Sequence, residues 1–320
     1  MKGISVVIPN WNGADKLKTN LPQINEKIKK LGVSYEILVV DDASTDDSLR
    51  VLESFPFVRV FSCDKNEGFS KTANRGVWLA QYDLVFIISN DIVLGDSPEH
   101  LFEHFKDKSV FAVSPEVRWL DTGKFAYGKR GVEWKNGYFR VKEKKQTKLP
   151  CYSLFACGGS AVFRRNMFLD LGGFDKIYHP FYWEEIDLSY RAWKRAYKVI
   201  HDPRSVVFNS SCGVIKKYFS KKYIKLISAR NSYIFVWKNI STPKLVSEHL
   251  SNLLPSILKD LKSGRFRFPL SCLLALFKLP SVIIRRFVEK EKNLLTDLEV
   301  IKLVNSELPV FITEDTKVEL

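Results

Sequence analysis

At 320 residues, with 45% apolar residues and 13% aromatics, the chain has material for one large domain or two smaller ones, and wholesale disorder is excluded. Five cysteines (Cys63, Cys151, Cys157, Cys212 and Cys272), odd in number and never spaced as CxxC, argue against a disulfide framework and a zinc site and fit a reducing cytosol. Net charge is +14, and residues 211–290 hold 16 Lys and Arg against only Glu248, Asp260 and Glu289, so the positive charge is concentrated in one block.

Met1-Lys2-Gly3 leads straight into Ile4-Ser5-Val6-Val7-Ile8. That run is too short for a signal-peptide core and ends at Pro9 without a small-residue cleavage site, so it is expected to be a buried strand. Further strands are predicted at Tyr35–Val40, Val58–Cys63 and Leu84–Ile88. Their continuous apolarity predicts burial on both faces. Between the first two, Leu17, Leu21, Ile24, Ile28 and Leu31 recur every three or four residues and give one apolar helical face, which Pro22 is expected to break or restart. Strands alternating with helices predict an α/β sheet with ligands beyond the carboxyl ends of the strands.

Short polar signatures stand at those strand ends. Asp41-Asp42, followed by Ala43-Ser44-Thr45-Asp46, places carboxylates where they could accept hydrogen bonds from a base or ribose, or could simply form a turn with an N-cap. Ser89-Asn90-Asp91 closes the fourth strand, where one aspartate suffices for a Mg2+ or Mn2+ ion that takes its other oxygens from a diphosphate and water; Asn-Asp is also an ordinary turn.

From Ser97-Pro98-Glu99, read as an N-cap with proline at the first helical position, the pattern loosens. Asp121 to Leu149, rich in Gly, Lys and aromatics, reads as a β-hairpin or mobile loop. Past Gly158-Gly159-Ser160 a helix is predicted from Glu184 to Ala196, opening with Trp183-Glu184-Glu185-Ile186-Asp187. Three acids at a helix start suit the helix dipole, whereas aromatic walls from Phe181, Tyr182 and Trp183 would raise a carboxylate toward the strength of a general base. Beyond Ser211 come Lys- and aromatic-rich helices and the apolar run Phe268–Phe277, half of what spans a bilayer. With Lys278, Arg285 and Arg286 following, this suggests helices lying in the membrane interface, the alternative being a helical subdomain packed on the core. Nucleic acid ranks behind a membrane, because the block is fused to an apolar run and matches no nucleic-acid module.

Taken in order, Val7-Ile8-Pro9-Asn10-Trp11-Asn12, Val39-Val40-Asp41-Asp42-Ala43-Ser44-Thr45-Asp46, Asn66-Glu67-Gly68-Phe69, Ser89-Asn90-Asp91, Gly158-Gly159-Ser160 and Trp183-Glu184-Glu185-Ile186-Asp187-Leu188 resemble the family 2 glycosyltransferases over roughly residues 1 to 240. The resemblance implies a GT-A fold, a Rossmann-like mixed sheet with helices on both faces. Residues 1–96 would form a nucleotide-sugar half, 97–210 an acceptor and catalytic half, and 211–320 a basic, membrane-associated helical extension. It also implies an inverting, metal-dependent hexosyltransferase. Pro9, Asn10, Trp11, Asn12, Asp41, Asp42, Asn66, Gly68, Asn74 and Asn90 would hold the donor. Gly158, Gly159 and Trp183 would hold the acceptor. Asp91 would bind the metal, with Asn209 standing where the family often has a histidine, so that an amide oxygen completes the site or that contact is absent. Glu185 would be the catalytic base, Glu184 its reserve, and Asp187 their neighbour. His201 is expected to be structural.

Ser89 replaces the first aspartate of the family's Asp-x-Asp signature. Ala229-Arg230-Asn231 is similar to a segment of polysaccharide-assembly members, which suggests a donor such as dTDP-rhamnose or a UDP-hexose. The acceptor would be a glycan or polyprenyl-linked glycan, and the enzyme would sit peripherally on the cytoplasmic face of the cell membrane. A sugar-phosphate nucleotidyltransferase would open with a glycine-rich, Arg-containing loop, which Asn10-Trp11-Asn12-Gly13 does not resemble. A non-catalytic nucleotide-binding membrane scaffold is the other alternative.

Overall fold

The computed structural model describes residues 3–143, 146–210 and 217–306; Cys212 and the remaining residues of the predicted extension (211–216 and 307–320) lie outside them. One ten-stranded mixed sheet organises the chain. Four parallel strands come first: β1 (Ile4–Asn10), β2 (Tyr35–Asp41), β3 (Val58–Ser62) and β4 (Leu84–Ile88), arranged β3-β2-β1-β4. The sheet then continues through β11 (Ser160–Arg164), antiparallel to both its neighbours, to β6 (Val110–Trp119), β12 (Lys198–Asn209) and β10 (Cys151–Tyr152). Short β5 (Ile92–Leu94) pairs with β12, and β7 (Phe125–Tyr127) with β6. Because β11 inserts between β4 and β6, the two expected halves share one sheet.

Alternate residues of β1, β2 and β4 feed two cores. Val7, Leu38, Val40, Val85 and Ile87 face one, and Ile4, Val6, Ile8, Ile37, Val39 and Phe86 the other. This accounts for continuous apolarity without alternation. β3 departs from the expectation: at the sheet edge it is largely exposed. Against one face packs α1 (Ala14–Lys29), through Leu17, Leu21, Ile24 and Ile28. Pro22 does not break this helix. It lies on the exposed side, where the Lys18 carbonyl that loses its partner faces water.

After α2 (Ser48–Glu53) and α3 (Phe69–Leu79), the predicted Ser97 cap gives way to a shorter arrangement. Ser97 takes a left-handed φ of 58°, and α4 covers only His100–Glu103. The aromatic stretch resolves as the hairpin β8 (Arg130–Lys135) and β9 (Tyr138–Glu143). Asn136 and Gly137 turn it with φ of 54° and 76°, the positive pair that a two-residue hairpin loop requires. α5 (Arg165–Asp170) leads to α6 (Glu184–Lys194), which stops at Ala196 in a left-handed conformation.

Then α7 (Lys221–Asn239), α8 (Pro243–Lys262), α9 (Arg267–Leu276), α10 (Leu279–Lys290) and α11 (Asp297–Val304) close the chain. Tyr233, Ile234, Phe235, Cys272, Val282, Val300 and Val304 belong to the same buried cluster as Val7 and Val40. The C-terminal helices are therefore an integral wall of the domain. Among the described residues, no single helix is long and apolar enough to cross a membrane.

Candidate active site

The carboxyl ends of β1, β2 and β4 converge, as parallel strands must, and their polar residues brace one another. Asn10 Nδ2 donates to Asp41 Oδ1 at 2.8 Å, while Asn10 Oδ1 accepts from Asn90 Nδ2 at 2.7 Å. Asp41 also accepts from the Ser44 amide and hydroxyl at 2.9 and 2.6 Å. Asn12 Oδ1 takes the Thr45 amide at 2.7 Å. Asn10, Asp41 and Asn90 are thus buried braces beneath the site, which fits the supporting role expected of Asp41. Asp42 accepts the amides of Glu67 and Gly68, one per oxygen and both at 2.8 Å, and so sets the loop before α3. Gly68, at φ 83°, holds a conformation that side chains disfavour, and Asn66 beside it is exposed. Pro9 ends buried in β1, which outruns its pairing with β4 beyond Val7. Half-buried Trp11 lies 4.9 Å from the Tyr218 ring, centroid to centroid.

Asn74 is corrected. Its amide is fully spent on Phe174, donating to the carbonyl and accepting the N–H, each at 2.8 Å, so it clips α3 to the turn after α5.

Asp91 follows β4 and is partly accessible. Among the described residues no other side chain hydrogen-bonds to its carboxylate, which burial holds above the usual range against the pull of Lys16. Across the sheet, Asn209 pairs with Ile92, next to Asp91. Asn209 Nδ2 donates to Tyr127 Oη at 3.1 Å, and its Oδ1 is buried with no partner. An orphaned amide oxygen beside an unengaged carboxylate is a donor set suited to a hard cation. No group of three or more His, Cys, Asp or Glu that could hold a metal occurs among the described residues, so such an ion would need oxygens from a bound ligand and water. His201, the other candidate in this region, is buried and pressed against Gly128, and burial lowers its pKa to about 4, as a structural residue's would be.

At α6 the three acids part company. Glu184 and Asp187, three residues apart, share the buried face, and Glu185 lies one step round the helix, half-buried. Glu184 is held well above the ordinary carboxyl range by burial and by Glu185, and its Oε2 has no partner. Burial also raises Glu185, but Arg130 opposes that rise, so Glu185 is the acid of the pair that ionises first. It accepts no hydrogen bond among the described residues.

Asp187 is corrected as a catalytic candidate. Fully buried, it accepts from Tyr178 Oη (2.8 Å), Arg191 Nε (2.8 Å), Lys238 Nζ (2.8 and 2.9 Å) and Asn239 Nδ2 (2.8 Å), and has nothing left to offer a substrate. Trp183 is corrected too: its ring packs on Phe235 and Phe139 within the core. The glycines expected to admit a sugar are required by the protein itself. A Cβ on Gly159 would collide with the Ser89 hydroxyl, and one on Gly158 would press on Phe69 and Phe174.

Sequence reasoning passed over Tyr127, Arg130 and Cys157, which link the two halves of the site. Tyr127, raised mainly by burial, interacts with Cys157 and feels the Asp91 charge; Cys157, also raised mainly by burial, feels Glu185. Arg130 stacks over Tyr127 at 5.0 Å. Their only signal was placement, an aromatic-rich stretch and a thiol just before Gly158-Gly159. Asn231 was flagged only by resemblance. Its Nδ2 reaches the carbonyls of Tyr178, Phe181 and Tyr182 (2.8–3.0 Å) and pins the segment in which Tyr182 and Trp183 adopt φ of 68° and 80° ahead of α6.

Comparisons with known proteins agree with this geometry. The O-antigen chain rhamnosyltransferase RfbN of Salmonella typhimurium (strain LT2) is 22% identical over 65% of this chain and 66% of its own length. Poly(ribitol-phosphate) beta-N-acetylglucosaminyltransferase TarP of Staphylococcus aureus (strain N315) is 28% identical over 34% and 35%. The chain thus spans less than two thirds of these relatives. Among solved structures, S. aureus TarS 1-349 in complex with UDP-GlcNAc matches with a TM-score of 0.58 at 13% identity, covering 95% of this chain and 90% of that one. Mannosyltransferase PcManGT from Pyrobaculum calidifontis, in complex with GDP-Man and Mn2+, matches with a TM-score of 0.52 at 16% identity over 94% and 85%. These likenesses show the fold, a GT-A mixed sheet. The family profile described as Glycosyl transferase family 2 matches residues 5–172, more than half of the sequence, and the chain belongs to that family.

Proposed function

We propose that the protein is an inverting glycosyltransferase that moves a hexose from a nucleoside-diphosphate sugar to a hydroxyl of a glycan or polyprenyl-linked glycan at the inner face of the cell membrane. One observation carries the reading: Asp91 and Glu185, from elements far apart in sequence, both act on the Tyr127–Cys157 pair, so a cation-holding carboxylate and a proton acceptor open on one crevice. Glu185 takes the proton of the acceptor hydroxyl as its oxygen bonds to the anomeric carbon from the face opposite the departing diphosphate. The bond to the diphosphate oxygen breaks in the same step and the anomeric centre inverts. Asp91 with Asn209 Oδ1 would hold a Mg2+ or Mn2+ ion, whose charge would offset that developing on the diphosphate. Trp11 and Pro9 flank the base, the loop of Asn66 and Gly68 set by Asp42 borders the phosphates, and the remaining lone pairs of Asp42 face the ribose.

The relatives named above, and the UDP-GlcNAc and GDP-Man bound in the solved structures, favour a nucleotide-sugar donor; dTDP-rhamnose and UDP-hexoses are the first to test. A matching donor at 100 times its Kd should stabilise the protein by about 2.7 kcal/mol, read as a rise in melting temperature that manganese enhances. Asp91→Ala should lose that manganese effect and weaken Mn2+ binding in a titration. Unchanged Mn2+ affinity in the variant would remove Asp91 from the metal role.

A further inference from the structure

The outer faces of three C-terminal helices carry apolar stripes that the fold leaves uncovered. On α8, Leu250, Leu254, Leu258 and Leu261 repeat at helical spacing and are 41–62% exposed, while Leu245 and His249 face inward. Around α9, Phe266, Leu270, Leu273 and Phe277 form a second stripe, with Phe277 75% exposed and Ser271, Cys272 and Ala275 buried behind it. On α10, Ile284, Phe287 and Val288 form a third, with Phe287 67% exposed and Val282 buried. A helix that buries small and apolar residues on one side and exposes a full stripe on the other has two apolar faces and only one partner in the chain.

Charge identifies what covers them. Lys259, Lys262, Arg267, Lys278, Lys290 and Lys292 are exposed on or beside the same helices. We infer that this face of α8–α10 docks on an anionic phospholipid bilayer, with the helices lying in the plane of one leaflet, the leucines and phenylalanines in the acyl boundary and the cations at headgroup level. The inference deepens the proposed membrane-linked acceptor and rests on that reading. Together α9 and α10 have the length and composition of one span, but they are bent by 66° at their junction. Lys278 occupies that junction, so full insertion would carry its ammonium into hydrocarbon. An in-plane pose lets it snorkel. Docking also reaches the crevice: Arg285 of α10 donates to both carboxylate oxygens of Asp175 at 3.2 and 2.9 Å, in the segment leading to Glu185.

Co-sedimentation of the full chain with phosphatidylcholine vesicles, with and without 30% phosphatidylglycerol, at two salt concentrations, tests this. Binding is expected only with the anionic lipid, to weaken at high salt, and to fall at least tenfold in Phe277→Ser/Phe287→Ser, since each phenylalanine contributes about tenfold to partitioning. The melting temperature of that variant should match the parent, both side chains being exposed. Two results would overturn the inference: no retention on anionic vesicles, or a lipid-free dimer that the same double variant dissociates, which would make the stripes a protein interface. Donor protection measured on the same sample reads the glycosyltransferase assignment separately, because it needs no lipid.

Discussion

Glu185→Gln is expected to lower kcat by about 10²–10⁴-fold while leaving donor binding unchanged, the range that removal of a general base produces. The amide keeps the shape of the side chain and cannot take a proton. Two features single out Glu185 from its neighbours: its carboxylate accepts no hydrogen bond among the described residues, and Arg130 favours its ionised form where Glu184 has a burial penalty and the Glu185 charge against it. The active species is the carboxylate. Since burial raises its pKa above the ordinary range, kcat should fall as pH drops through that raised value, and the acid limb should disappear from the profile of the glutamine variant. Turnover within about threefold of the parent would remove Glu185 from the role.

The second large effect is on stability. Asp187→Ala should destabilise the fold by about 3–5 kcal/mol, because it leaves Lys238 and Arg191 buried without their shared counter-charge. For a chain of this size that is a fall in melting temperature on the order of 10 °C. Lys238 and Arg191, the main favourable influences, hold the Asp187 pKa far below the usual carboxylate range despite burial. A depressed folded-state pKa contributes stability above the unfolded value of about 3.9 and loses it as pH falls below that point. The gap between parent and Asp187→Asn should therefore be full at pH 7 and close under acid. A gap that does not change between pH 7 and pH 3 would contradict this account. The neighbouring Glu184 and Glu185 have the opposite sign: with raised pKa values they favour the fold at low pH and lose that contribution as pH rises, so the same helix turn holds one stabilising acid and two that strain it.

Much of this was legible beforehand because it depends on local pattern. Burial on both faces follows from unbroken runs such as Leu38-Val39-Val40, and parallel strands force Asp41, Asp42 and Asp91 onto one edge. What escaped the sequence depends on direction. Three acids within four residues look alike in a string, whereas a 100° step per residue turns Glu184 and Asp187 inward and leaves Glu185 at the crevice. Asn74 and Trp183 went the same way, matched by position to ligand-facing roles yet turned by the fold to hold Phe174 and to pack on Phe235. Pro22 failed as a breaker because the damage of a proline depends on whether the carbonyl it strands is wet. Tyr127 and Cys157 had no periodic or motif signal, since their importance comes from what β7 and β11 bring beside them.

A single apolar cluster runs from Val7 in the first strand to Val304 in the last helix. Trimming the chain after β12 to obtain a minimal catalytic fragment would strip the cover from Trp183, Tyr190 and Phe139, and would remove the Lys238 that neutralises Asp187. The helices that bear the lipid-facing stripes and the strands that bear the acids should therefore unfold in one cooperative transition. Transplanting this C-terminal part between relatives would then succeed only where the inner surfaces of its helices are carried over with the outer ones.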